Sequence, residues 1–79
     1  MNRAMWKRHL VLAERHVALA RRIVSSQKRV VAELHRDAHP TRMARKILAS
    51  YEALLQLHVA DRDRLKKELS EPTNRLTSR

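Results

Sequence analysis

The sequence predicts an all-α protein: an antiparallel two-helix hairpin that pairs with a second copy into a four-helix bundle. Three observations carry this. The 79-residue chain contains no glycine at all, whereas ordinary usage near 7% would supply about five. Tight hairpin turns and phosphate-cradling loops need the positive φ or close backbone approach that glycine provides, so both are disfavoured. Apolar residues recur at heptad spacing through two long segments. Finally, one short break, Asp37-Ala38-His39-Pro40-Thr41, separates those segments.

The first segment, residues 3–37, repeats Leu10, Val17, Val24, Val31 and Ala38 every seven positions. A companion row, Trp6, Ala13, Ala20, Gln27 and Leu34, runs beside it. Together they form the a/d seam of a helix that packs lengthwise on another. His9, His16, Ile23 and Val30 flank the seam, and Met5, Leu12 and Leu19 widen it. The apolar arc then exceeds what one partner helix covers, so contact with a second neighbour is expected. Pro40 disfavours helical angles at His39 and suits the first position of a new helix. With no glycine for the left-handed C-terminal cap, Ala38 or His39 is expected to adopt that conformation under mild strain.

The second helix is expected over 41–69, with Ala44, Leu48, Tyr51, Leu55, His58, Arg62, Leu65 and Leu69 on its seam and Ile47 and Leu54 alongside. Residues 71–79, with Pro72 and polar neighbours, read as a disordered tail. A turn centred near 39–40 sets Val31 beside Leu48, Val24 beside Leu55 and Gln27 beside Tyr51. It also gathers His16, His58, Asp61 and Arg62 into a hydrogen-bonded polar layer that fixes register. Leu12, Leu19, Ile23, Val30, Ile47 and Leu54 are left for an oligomer interface, most simply that of a homodimer. Whether its hairpins run parallel or antiparallel stays open.

The segments Ala13-Glu14-Arg15-His16-Val17, Val31 to Thr41 and Leu57 to Leu65 resemble a set of small uncharacterised bacterial helical-hairpin proteins. The resemblance covers most of the chain. It implies the hairpin fold and no settled activity. In that set the inter-helix segment typically reads Asp-Gly-His-Asp-Thr, from which Ala38 and Pro40 depart.

Eighteen Lys+Arg against eight Asp+Glu give a formal net charge of +10. Arg8, Arg15, Arg22, Arg29 and Arg36 recur every seven residues on the outer face of the first helix, with Lys7, Arg21 and Lys28 in a neighbouring row. At 1.5 Å of rise per residue the ladder is roughly 42 Å long. Such a row suits the phosphate backbone of a nucleic acid, or another polyanion, without strong sequence preference. The two aromatics, Trp6 and Tyr51, sit on apolar rows and offer no stacking platform. Against this stands the reading of a protein-interaction or adaptor module, with an acidic protein or a partner helix as ligand and the basic face serving only solubility.

Catalysis and metal binding are not expected. Ser25, Ser26 and Ser50 lack a spaced His/Asp partner. His35, Asp37 and His39, or His16, His58 and Asp61, fall short of a firm ligand set. No cofactor or small-molecule substrate is indicated. The chain has no cysteine and no apolar run of about 20 residues. Its short apolar opening, Leu10 to Ala13, is stopped by Glu14-Arg15-His16, unlike a secretory signal. A cytoplasmic location is the expectation.

Overall fold

A computed structural model describes residues 2–70; the tail expected over 71–79 lies outside them. Two α-helices, α1 (Arg3–Arg36) and α2 (Arg42–Ser70), pack lengthwise and antiparallel as a hairpin of 59 × 19 × 15 Å. No strand occurs among the described residues. Among the described residues no helix is long and apolar enough to cross a membrane.

α1 begins at a capped end. The Asn2 side chain accepts from the Met5 N–H at 2.8 Å, satisfying one of the amide donors that every helix N-terminus leaves open. At the other end the Ala38 N–H donates to the His35 carbonyl and the His39 N–H to the Leu34 carbonyl. These are the two bonds of a Schellman cap, which needs a left-handed residue between the cap and the exit. Ala38 fills that place with φ 59°. It therefore leaves the apolar row that periodicity assigned to it, and it is exposed. Pro40 is not the first residue of α2: it sits in the turn, and Thr41 precedes the helix that starts at Arg42.

The side chains that close the seam are small on α1. Ala13, Val17, Ala20, Val24 and Val31 are buried there, against only Ala44 and Leu65 on α2. Leu48, Tyr51, Leu55, His58 and Leu69 are half-buried. The asymmetry follows from size: larger α2 residues lie over the small α1 residues, covering them while leaving their own flanks open. A pair of helices forms a single layer with no third element to close its sides.

The cross-helix register differs from the expected one. His16 meets His58 as expected, but Gln27 Nε2 donates to the Ala44 carbonyl at 3.0 Å and Arg3 reaches the Leu69 carbonyl at 3.0 Å. Each α2 partner lies several residues nearer the turn than equal heights about residue 39–40 would place it. His39, Pro40 and Thr41 are non-helical, and Pro40 holds His39 away from helical angles. At about 3.3 Å per extended residue the chain descends beside α1 before α2 starts, so Arg42 begins below the end of α1.

Candidate polyanion interface

Every residue proposed for anion binding lies on α1, and heptad position decides where each points. The seam residues Val17, Val24 and Val31, seven apart, are all buried. A seven-residue row therefore keeps its bearing relative to α2 along the whole helix. Arg8, Arg15, Arg22, Arg29 and Arg36 fall midway between successive seams and so stand opposite α2, on the outermost line of the hairpin. Lys7, Arg21 and Lys28 flank the seam on one side only. All eight are exposed, and none of their side chains forms a hydrogen bond or ion pair with another described residue.

On α2, Arg62 pairs with Asp63 at 3.0 Å and Arg64 pairs with Asp61, while Arg42, Arg45, Lys46, Lys66 and Lys67 enter neither pair. On α1 the only acidic residues are Glu14 and Glu33. The backbone of α1 thus sets the guanidinium row at about 10.5 Å intervals, with two carboxylates on the helix and, among the described residues, no ion pair to any of the five arginines. Such an arrangement raises the local concentration of anions and releases bound counterions when phosphates replace them.

The second set of proposed residues occupies the opposite flank of the seam. Leu12, Leu19, Ile23 and Val30 of α1 and Ile47 and Leu54 of α2 are all exposed, Leu19 at 51% and Ile23 at 37%. Met5, Met43 and Leu57 extend the same flank. Because the helices are antiparallel, equivalent heptad rows of both fall on one side. A groove lined by His16, Leu19, Ala20, Ile23, Tyr51, Leu54 and His58 confirms that these rows meet there. The hairpin thus has a basic outer edge and flank on α1 and an apolar face on the other side.

The polar layer does not form as a four-residue network. The His16 and His58 rings do meet, with centroids 5.2 Å apart and planes tilted by 49°. Asp61 and Arg62 instead take Arg64 and Asp63, neighbours on their own helix. A partner three positions along or adjacent is reached without crossing the groove, which is why these charges stay on α2. No group of three or more metal-capable side chains occurs among the described residues, and His35 and His39 are exposed at the turn. Sequence reasoning missed two contributors: Asn2, whose signal was an N-cap residue directly before the helix, and Arg3, whose reach to the Leu69 carbonyl has no local signature.

No family model, curated protein or solved structure matches the chain.

Proposed function

We propose that this protein is a non-catalytic, self-associating hairpin that binds nucleic acid or a comparable polyanion through the basic side of α1. The observation that carries the reading is the set of eight exposed cations, Lys7, Arg8, Arg15, Arg21, Arg22, Lys28, Arg29 and Arg36, with no ion pair to any described residue. Rigid spacing along a helix favours an extended partner of regular charge over a compact acidic loop. The absence of exposed aromatic platforms favours backbone contact over base reading.

The apolar face supports the self-association half of this reading. Leu12, Leu19, Ile23 and Val30, interrupted by His16 and Ser26 and joined by Ile47 and Leu54, put more apolar surface on one face than scattered surface residues require, which supports an interaction there. A second hairpin laid on it would complete a four-helix bundle. Replacing Ile23 and Leu54 by Asn tests this without touching the buried seam, since both are already exposed. Sedimentation should then show the variant as a monomer and the native chain as a dimer at micromolar concentration; a native monomer would refute dimerisation.

The polyanion reading is tested by titrating a labelled duplex, DNA and RNA in parallel, across a salt series. Affinity should fall steeply, each neutralised duplex phosphate adding about 0.9 to the log–log slope. The variant Arg15→Gln/Arg22→Gln/Arg29→Gln should lower that slope by about 2.7 while leaving helicity unchanged. Retention of neither nucleic acid at low salt would reject the reading.

A further inference from the structure

The apolar face is graded along its length, and the gradient determines how a second copy can lie on it. Near the turn it is built from Ile23 and Val30 of α1 and Met43, Ile47 and Leu54 of α2, all exposed apolar side chains. Toward the free ends the same heptad rows carry His9 and His16 on α1 and Asp61 and Glu68 on α2. A groove at that end is lined by Trp6, His9, Leu12, His16, Asp61 and Arg64. The row of this face next to the seam is therefore hydrocarbon near the turn and imidazole with carboxylate toward the free ends, where Met5 and Leu12 keep the outer row apolar.

Two face-to-face arrangements have two-fold symmetry. With the axis across the helices, the copies run antiparallel: α1 lies on its partner's α1, and the polar end of each covers the apolar end of the other. Asp61 would then be buried against Ile47 and His16 against Val30. Asp61 already pairs with Arg64 on its own helix, so this arrangement would lay that ion pair on hydrocarbon and strip water from it, which is costly even for a paired charge. The two Arg ladders would also be brought to the same side, like charge beside like charge.

With the axis along the hairpin, the copies run parallel and α1 lies on its partner's α2. Apolar levels then meet apolar levels: Ile23 meets the level of Ile47 and Leu54, and Leu19 that of Leu57. The polar levels meet polar levels, with the imidazoles of His9 and His16 of one copy facing the carboxylate row of Asp61 and Glu68 of the other. Neither the His16 nor the His58 ring makes a hydrogen bond with any described residue of its own hairpin, so both can take partners from the second copy.

We propose that a second copy of this chain seats on the graded face in parallel register, so that the two Arg ladders point away from each other and one dimer bridges two polyanion strands. The ladder stands opposite the seam on each α1, and in the parallel bundle the two α1 helices are diagonal. Their outer lines therefore face opposite directions. The inference rests on the self-association and polyanion binding proposed above and adds orientation and valence to them.

The chain has no cysteine, so His39→Cys at the exposed turn gives a single attachment point for a nitroxide label, with circular dichroism checking helicity. Parallel copies place the two labels within about 25 Å, roughly two interaxial spacings plus linkers. Antiparallel copies separate them by upwards of about 50 Å at 1.5 Å per residue, and that distance would overturn the register while leaving self-association intact. A monomeric sample would overturn both. For valence, the native chain is added to bead-bound duplex and a second, dye-labelled duplex follows. Capture of the dye above the level given by Ile23→Asn/Leu54→Asn is the expected result. Retention of the protein on the beads without dye capture would refute bridging alone. Loss of the protein from the beads would refute polyanion binding itself.

Discussion

At the scale of single residues the ends of α1 carry most of the local information. Ala38 holds a left-handed backbone, φ 59°, because the Schellman cap requires it there. A Cβ in that region costs about 1–2 kcal/mol relative to the right-handed form. Ala38→Gly is therefore expected to stabilise the hairpin by about 1 kcal/mol, read as a raised urea midpoint at unchanged slope. The glycine's extra freedom in the unfolded chain offsets part of the gain. The strain was legible in the sequence, because Pro40 forces an exit and no glycine is present to make it. Asn2 shows the reverse case: the cap residue stands directly before the first helical turn, yet it was overlooked beside the heptad rows. Asn2→Ala should cost about 1 kcal/mol, seen as faster amide exchange in the first turn. Gln27, the one amide on the α1 seam, was expected beside Tyr51. Its donation to the Ala44 carbonyl could not be anticipated while the height of α2 was unknown.

At the scale of elements, periodicity located the seam of α1 and the structure assigned unequal depth to its partner. Val17, Val24 and Val31 are buried at seven-residue intervals, whereas Leu48, Tyr51 and Leu55 on α2 are only half covered. Pattern alone marks which rows face inward; it does not say how much of each row a single neighbouring helix can cover. Leu65, 4% exposed, is the one large side chain buried on α2 among the described residues, and Leu57, 68% exposed, is its contrast on the outer row. Leu65→Ala should destabilise by about 2–3 kcal/mol, near the lower end for a buried leucine because a shallow two-helix layer relaxes readily. Leu57→Ala, made in the Ile23→Asn/Leu54→Asn background so that the second copy is absent, should change stability by less than about 0.5 kcal/mol. Chemical denaturation of both variants at one protein concentration checks the pair. The register was the least legible element-level property. It depends on how far His39–Thr41 descends before α2 begins, and no row of side chains records that length.

At the scale of the whole molecule the hairpin is unfinished: its seam buries small side chains while larger ones from Leu12 to Leu54 remain on the surface. A chain of this length buries only about 60% of its unfolded surface even in a globular shape, and an elongated pair of helices does worse. The sequence showed this imbalance as an apolar arc too wide for one neighbour, and it showed the cationic ladder as a heptad row. It did not separate them into opposite flanks, because that requires knowing which side of the seam each helix turns to the other. If a second copy completes the fold, folding and association are one equilibrium, and stability depends on protein concentration. A tenfold increase should then add about 1.4 kcal/mol per dimer to the unfolding free energy, raising the thermal midpoint by several degrees. The comparison is best made between about 2 and 200 μM by circular dichroism, with Ile23→Asn/Leu54→Asn alongside. A midpoint independent of concentration in the native chain would mean that the hairpin folds alone, and the apolar face would then need another explanation. A midpoint that climbs in the native chain and stays level in the variant would locate the coupling on that face. Polyanion added at low salt should raise the midpoint further, since a ligand that binds only folded ladders stabilises the state that displays them.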